Sequence, residues 1–192
     1  MFWSFIHHTR GSHVTIWEMK VVLLDREGTL VVDPHHDRVD APEKIELLPQ
    51  TLNGLAYLAL HGFRAIILTN QTSIAEGRVT EQGFWNIHNE VLKQLKPSGI
   101  EILKTYVCPH NSSAGCLCRK PEPAMLNEAI EEFNLNPSDT YMVGDRLSDV
   151  EAGMNVGMKT VLVETGKRSV VSEEATYTAA HLLEAAQYIV AN

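Results

Sequence analysis

The stretch that decides the fold is "MKVVLLDREGTLVV", residues 19–32, in which an apolar run breaks abruptly into charged residues. Four consecutive apolar residues, Val21 to Leu24, indicate a strand buried on both faces, as is typical of a parallel sheet. Asp25, Arg26 and Glu27 follow where that strand must end. The stretch therefore predicts a buried parallel strand with two acids, two residues apart, at its carboxyl end.

The remainder of the chain alternates strand and helix patterns. Further apolar runs predict strands at residues 63–69, 102–108, 140–145 and 159–164. Helical periodicity predicts helices over residues 52–59, 84–95 after an N-cap at Thr80, 126–133 after Pro123, a short helix capped by Ser148 and Asp149, and 179–190. This alternation predicts a single α/β domain, residues 19–192, with a doubly wound, Rossmann-like parallel sheet and helices on both faces.

Composition excludes several classes of function. A chain of 192 residues suits one domain, and its net charge of −8 argues against a nucleic-acid partner, which requires a basic face. No apolar run is long enough to span a bilayer, so no membrane partner is expected. Residues 1–18 lack the order of a signal peptide and are interpreted as an N-terminal extension, native or added in cloning. The expected location is the cytoplasm.

Polar side chains lie at the ends of the predicted strands, at the edge of the sheet where such folds bind ligands, with Lys120 just before the Pro123 helix and Asp149 one helical turn after Asp145. They are four acids, one hydroxyl and one lysine: Asp25, Glu27, Thr69, Lys120, Asp145 and Asp149. Crowded carboxylates repel one another, and a divalent cation that prefers oxygen ligands, such as Mg²⁺, relieves that repulsion. Once Mg²⁺ and Lys120 neutralise phosphoryl oxygens, an ionised Asp25 is suited to attack phosphorus.

Each of these residues also has an ordinary explanation when it is taken alone. The acids at 25–27 fit a polar turn, Asp145 and Asp149 fit helix capping, and Lys120 fits a surface lysine. Together they favour a phosphoryl-transfer site. Receiver domains gather similar residues on a similar fold, but their phosphoacceptor lies on a middle strand, whereas the third strand here ends in Cys108.

All three cysteines of the chain lie in "CPHNSSAGCLCRKP", residues 108–121. A disulfide framework would leave one of them over, and thiols in the cytoplasm stay reduced. Cys108, His110, Cys116 and Cys118 instead predict a closed Cys₃His zinc site with a structural role. Unrelated thiols beside a loop histidine are the alternative. A nucleic-acid-binding zinc module is disfavoured by the acidic charge and by the surrounding sheet pattern.

The segments "DREGT" (25–29), "LTNQ" (68–71), "RKP" (119–121) and "GDRLSD" (144–149), in this order, resemble the motifs of haloacid dehalogenase-like phosphatases. The resemblance implies that Asp25 forms an aspartyl-phosphate and that Glu27 protonates the leaving oxygen and then activates water. Thr69 and Lys120 would hold phosphoryl oxygens. It also implies Mg²⁺ ligands, which are Asp25, the Glu27 carbonyl, Asp145 and, through water, Asp149.

The zinc loop narrows the resemblance to the branch that contains heptose bisphosphate phosphatases and histidinol-phosphate phosphatases. The five-residue gap from His110 to Cys116 is closer to the histidinol type, whereas "TNQTSIAEG" and "VETGK" look more like the heptose type. The expected partner is therefore a small phosphorylated metabolite, most of all heptose bisphosphate, and the chain is expected to be a monomer or small homo-oligomer. The expected substrate contacts are Arg26, His35, His36, Asn70, Gln71, Arg119 and Arg146.

Glu27 departs from the family pattern, which has aspartate at this place. A displacement of the acid by about 1 Å can cost on the order of a hundredfold in rate. Three outcomes stay open: an active phosphatase with an adjusted pocket, a slow one, or a catalytically impaired phosphate-binding protein. No large cap insertion is expected, because residues 30–68 and 72–119 are accounted for by local elements.

Overall fold

A six-stranded parallel sheet forms the centre of the protein in a computed structural model that describes residues 19–33, 41–166 and 172–192. The strand order is β3-β2-β1-β4-β5-β6, and every neighbouring pair runs parallel. The strands are β1 (Lys20–Leu24), β2 (Phe63–Asn70), β3 (Ile102–Cys108), β4 (Tyr141–Gly144), β5 (Lys159–Val163) and β6 (Tyr177–Ala179). The predicted doubly wound α/β fold is confirmed.

Helices cover both faces of this sheet. They are α1 (Thr51–Leu60), α2 (Thr72–Ala75), α3 (Glu81–Leu95), α4 (Ala124–Phe133), α5 (Leu147–Asn155) and α6 (Leu182–Ala191), with 3₁₀ turns at Pro42–Lys44, Lys96–Ser98 and Pro137–Asp139. In the described ranges no separate cap domain is inserted between these elements. None of the helices described combines the length and the apolar character needed to cross a bilayer.

Alternate residues of each strand pack into two separate cores. Val22 and Leu24 of β1 join the core beneath α1, α3 and α6, whereas Val21 and Leu23 join the core beneath α4 and α5. All four side chains are at most 3% exposed. Because both faces of β1 are covered, its sequence is apolar throughout rather than alternating.

The chain direction across the sheet changes between β1 and β4. From β1 the chain builds outward through β2 to β3, and it then returns so that β4 pairs with the opposite edge of β1. At such a switch point the connections leave in opposite directions and open a crevice at the carboxyl ends of the strands. The residues that follow β1 and β4, Asp25 and Asp145, therefore meet in this crevice.

The last predicted helix is wrong at its start. The helix predicted from residue 179 begins at Leu182 after an N-cap at His181, and residue 179 instead ends the edge strand β6. The strand is anchored by a reciprocal pair, because the Thr160 and Thr176 backbone N–H groups donate to each other's hydroxyl oxygens at 3.0 and 3.3 Å. Three residues with one buried side chain give no periodicity that a sequence reading could detect.

The predicted cap of α5 is also displaced. The N-cap residue is Arg146, and its backbone N–H donates to Asp149 Oδ2 at 3.1 Å from the third helical position. By contrast, Thr80 caps α3 as predicted, accepting from the Gly83 N–H at 3.0 Å. The predicted extension, residues 1–18, lies outside the described residues, as do His35 and His36.

Gly54 of α1 lies where α1 and α6 approach each other closely, so a substitution there tests this packing. A Cβ at this position would lie 2.8 Å from the Leu182 backbone. Helix propensity alone predicts that Gly54→Ala stabilises the protein by about 1 kcal/mol. We expect the reverse, a loss of about 1–3 kcal/mol in the free energy of unfolding, because overpacking forces the two helices apart.

Urea denaturation of both proteins measures this difference. Leu60→Ala is a suitable control, because this α1 side chain is 83% exposed and should change stability little. A stabilised Gly54→Ala protein would contradict the close approach of α1 and α6.

Candidate active site

Three carboxylates meet at the switch point of the sheet. Asp25 directly follows β1, Asp145 directly follows β4, and Asp149 lies in the first turn of α5. Each offers an oxygen, and these oxygens all lie within 4.8 Å of one another. The Asp25 backbone N–H donates to the Val143 carbonyl at 2.9 Å and continues the pairing of β1 with β4. The topology of the sheet thus brings together three acids that are far apart in sequence.

Lys120 joins two of these acids. Its ammonium donates at 2.7 Å to Asp25 Oδ1 and at 2.7 Å to the Leu68 carbonyl. It also lies 2.7 Å from Asp149 Oδ1, and its side chain is 1% exposed. An ammonium has three protons to donate, so these contacts use its full capacity. Lys120 is therefore part of the acid cluster itself in this conformation.

Glycines let the backbone approach the acids closely. A Cβ at Gly28 or Gly166 would lie 2.4 or 2.1 Å from the Asp145 carboxylate, and one at Gly144 would lie 2.3 Å from that of Asp149. Gly28 also has a φ of +82°, which residues with a side chain rarely adopt. The "DREG" turn therefore needs glycine for two reasons, its backbone conformation and the space that Asp145 occupies.

The electrostatics of the cluster favour a cation. Burial raises the pKa of Asp25 well above its ordinary value; Lys120 opposes this rise, and the neighbouring acids add to it. Burial and the charge of Asp149 likewise raise the pKa of Asp145 to about 6. Asp145 Oδ1 is buried and has no hydrogen-bond partner within the described ranges. Buried carboxylates of this kind are normally paired or coordinate a metal, so this donor set fits a hard divalent cation.

Glu27 lies beside this cluster in a cradle of donors. Thr69 Oγ1 donates to Oε2 at 2.9 Å, and Gln71 Nε2 lies 3.0 and 2.9 Å from the two carboxylate oxygens. Arg26 Nε donates to Oε1 at 2.7 Å. Burial raises the pKa of Glu27, but the charge of Arg26 and these hydrogen bonds outweigh it, and the net pKa is lowered. Through Thr69, the Glu27 side chain is thus tied to the end of β2.

Asn70 and Arg119 hold the loop that carries Lys120. The Asn70 amide receives the Lys120 N–H at 3.1 Å and donates to the Lys120 carbonyl at 3.0 Å. Arg119 Nη1 donates to Thr72 Oγ1 and to the His110 carbonyl, both at 3.0 Å. In this conformation both side chains fasten the loop to the end of β2 and to α2.

Arg146 is the half-exposed cation at the rim of the crevice. Its Nη2 donates to Asp33 Oδ2 at 2.9 Å, and its Nε lies 3.7 Å from Asp145 Oδ2. The side chain is 55% exposed, so a ligand that enters the crevice can reach it.

The four zinc-ligand candidates converge at the end of β3. Sγ–Sγ distances are 3.7 Å from Cys108 to Cys116 and 3.6 Å from Cys116 to Cys118. His110 Nδ1 lies 3.7 Å from Cys108 Sγ and 3.2 Å from Cys118 Sγ. A tetrahedron with Zn–S bonds of about 2.3 Å has S–S edges of about 3.8 Å, whereas a disulfide requires about 2.05 Å. These distances fit a site that could hold a metal ion and are too long for a disulfide.

Two contributors to the site are not among the sequence predictions. Thr165, which follows β5, donates from Oγ1 to the Gly28 carbonyl at 2.6 Å and closes the turn beneath Asp145. Phe84 of α3 supports Arg26, with the guanidinium carbon 4.9 Å from the ring centroid. A turn-forming "ETG" after β5 is a usable sequence signal for Thr165, but a core phenylalanine gives none.

Comparison with known proteins identifies the family of the chain. Residues 117–187 match the family model of HAD-hydrolase-like proteins. D-glycero-beta-D-manno-heptose-1,7-bisphosphate 7-phosphatase of Pasteurella multocida is 34% identical over 172 residues, which cover 86% of this chain and 91% of the relative. A histidine biosynthesis bifunctional protein of Campylobacter jejuni subsp. doylei is 32% identical over 141 residues, or 73% of this chain but 40% of that protein.

A similar solved structure is the D,D-heptose 1,7-bisphosphate phosphatase from B. bronchiseptica, determined with magnesium and phosphate. The TM-score is 0.82 at 26% sequence identity, over 90% of this chain and 99% of that one. Sequence similarity and fold thus agree across nearly the whole chain. The protein belongs to the haloacid dehalogenase-like hydrolases and is a phosphatase of the heptose bisphosphate phosphatase family.

Proposed function

We propose that the protein is a Mg²⁺-dependent phosphomonoesterase that removes the 7-phosphate of D-glycero-D-manno-heptose 1,7-bisphosphate through an aspartyl-phosphate. The observation that carries the proposal is the buried cluster of Asp25, Asp145 and Asp149 bridged by Lys120. The similarity to heptose bisphosphate phosphatases, at 34% identity over 86% of the chain, supports the substrate.

In the first step an Asp25 oxygen attacks phosphorus, and the bond from phosphorus to the sugar oxygen breaks. Because the lowered pKa leaves Glu27 ionised in the free protein, Glu27 must take up a proton as the substrate binds; it gives that proton to the oxygen, which leaves as an alcohol. In the second step Glu27 takes a proton from water, whose oxygen attacks the phosphorus of the aspartyl-phosphate. The phosphorus–Asp25 bond breaks, inorganic phosphate leaves, and Glu27 is again protonated.

Mg²⁺ would be held by Asp25, the Glu27 carbonyl, Asp145 and, through water, Asp149. It would supply positive charge against the phosphoryl oxygens. The buried, unpartnered Asp145 Oδ1 and the repulsion among the acids support this assignment. The B. bronchiseptica relative was crystallised with magnesium and phosphate, which agrees with the same chemistry.

A sugar bisphosphate also brings a second anionic group that cations must meet. Among the described residues, Arg146 at the rim and Arg119 in the Cys/His loop are the arginines that we consider for this second group. Arg26 is buried and paired with Glu27, whereas Arg146 is 55% exposed and the hydrogen-bond partners of Arg119 carry no charge, so we assign direct substrate contact first to Arg146 and Arg119. Histidinol phosphate, the alternative substrate, carries an ammonium group that two arginines would repel.

We further propose that Cys108, His110, Cys116 and Cys118 hold a structural Zn²⁺. A closed set of four protein ligands has no open position for substrate. Arg119 and Lys120 directly follow the last of them, so the metal would fix the loop that places Lys120. Free thiols rather than disulfides agree with a reducing compartment, and we assign the protein to the cytoplasm.

Phosphate release from heptose bisphosphate and from histidinol phosphate, with Mg²⁺, tests the proposed function. We expect a kcat/KM at least tenfold higher for heptose bisphosphate. Asp25→Asn should lower kcat at least about a thousandfold, because the nucleophile is lost. Asp139→Asn, an exposed position, should leave both values unchanged.

Preference for histidinol phosphate would instead support the alternative substrate. If neither substrate released phosphate while inorganic phosphate still bound, the protein would be a phosphate-binding protein. The observation that favours that candidate is the engagement of Thr69 and Gln71 by Glu27.

Metal affinity should depend on pH through Asp145. The raised pKa of about 6 means that the carboxyl group holds a proton below pH 6, and Mg²⁺ must displace it. The apparent Kd for Mg²⁺ should rise about fivefold between pH 6 and pH 5 and change little above pH 7.

The same shift predicts a change in stability. Because the folded pKa is raised, stability of the metal-free protein should fall as pH rises from about 4 through 6, and Mg²⁺ should restore it.

The Mg²⁺ affinity is measured by calorimetric titration at pH 7.5, 6 and 5, with Asp145→Asn as the control that loses binding. A Kd independent of pH over this range would contradict the assignment.

Cys116→Ser tests the zinc assignment. The wild-type protein should contain close to one zinc per chain, and the variant should lose most of it, because one of four ligands is removed. The thermal midpoint should fall by several degrees. Zinc is measured by atomic emission, with Ser112→Ala, an exposed position of the same loop, as control. Equal zinc in both variants would show that the thiols are not ligands.

A further inference from the structure

Arg26 is buried to a degree that is rare for arginine. It is 2% exposed and is among the largest fully buried side chains of the described residues. Its Nε and Nη2 both donate to Glu27 Oε1. The third nitrogen, Nη1, is buried too and has no hydrogen-bond partner in the part of the chain that is described. The guanidinium thus faces Glu27 and the core, and not the open crevice.

The Arg26 guanidinium packs on the ring of Phe84, which in turn stacks on His88. The guanidinium carbon lies 4.9 Å from the Phe84 ring centroid, and Phe84 stacks on His88 with centroids 5.6 Å apart and planes 8° from parallel. His88 is in turn fixed by a 2.8 Å contact between its Nε2 and Thr105 Oγ1. Side chains from α3 and β3 therefore form a fixed support for the guanidinium.

From this arrangement we infer that Arg26 is a positioning residue for Glu27 and not a substrate contact. A glutamate at this place has one more rotatable bond than the aspartate of the family pattern, so its carboxylate can adopt more positions. The two donors of Arg26, with Thr69 and Gln71, restrict the carboxylate to one position beside Asp25. The inference rests on the proposed function, in which Glu27 is the acid and base.

A double-mutant cycle between Arg26→Met and Glu27→Gln tests the inference. Arg26→Met should lower kcat about 10- to 100-fold, because the carboxyl group is misplaced by about 1 Å. KM and the inhibition constant of inorganic phosphate should stay within about twofold of the wild-type values. In the Glu27→Gln background, Arg26→Met should cost no further activity, since the group that it positions is already lost.

Two further variants separate positioning from a fold defect. Phe84→Leu keeps Arg26 but removes its support, and it should lower kcat by a smaller factor with KM unchanged. Arg26→Lys keeps the positive charge but lacks the paired N–H donors of the guanidinium, and it should recover part of the kcat that Arg26→Met loses. Arg64→Met is the matched control, because Arg64 is 46% exposed on β2, is paired with Glu101 and should show wild-type kinetics.

The outcomes separate this inference from the proposed function. A raised KM and phosphate inhibition constant with unchanged kcat would show that Arg26 binds substrate. Equal losses in both backgrounds would show that it acts independently of Glu27. Either result overturns the inference while an active wild-type protein upholds the proposed function. A wild-type protein that releases phosphate from no sugar phosphate would overturn both.

Discussion

The buried bridge from the Lys120 ammonium to Asp25 and Asp149 is the interaction on which the site depends. Without Lys120 the carboxylates of Asp25 and Asp149 would stay buried without their cation, and breaking a buried ion pair in this way typically costs about 3–5 kcal/mol. The surroundings of Lys120 limit its movement, since Asn70 clamps its backbone and the Cys/His cluster ends two residues before it. The contacts of Lys120 thus link the central sheet to the loop after β3.

The topology of the sheet brings the acids of the cluster together. Asp25 and Asp145 are 120 positions apart in sequence, and only the pairing of β4 with β1 makes them neighbours. Gly28, Gly144 and Gly166 then leave the space that the carboxylates fill. A side chain at any of these glycines would push an acid out of the cluster, so backbone and charge are fitted to each other.

The sequence predicts those features that depend on chain order and periodicity. The five longer strands follow from apolar runs, the acids of the rim from their positions at or after the strand ends, and the Cys/His cluster from four candidate ligands in one loop. The edge strand β6 does not, because the Thr160–Thr176 pair that anchors it gives no pattern. The partners of Glu27 could not be predicted either. Arg26 is adjacent in sequence, but the direction of its side chain depends on Phe84, 58 residues away.

The charges of the site fall into two groups: the acid cluster with Lys120, and the Glu27–Arg26 pair. Asp25, Asp145 and Asp149 bring three negative charges when ionised, whereas Lys120 brings one positive charge, and Arg146 lies at the exposed rim. A phosphoryl group entering this cluster would be repelled unless a divalent cation made up the difference. Glu27 adds little to the repulsion, because Arg26 neutralises it within the core. The pairing with Arg26, and not the length of the acid, therefore keeps the charge at position 27 out of the sum that the metal must balance.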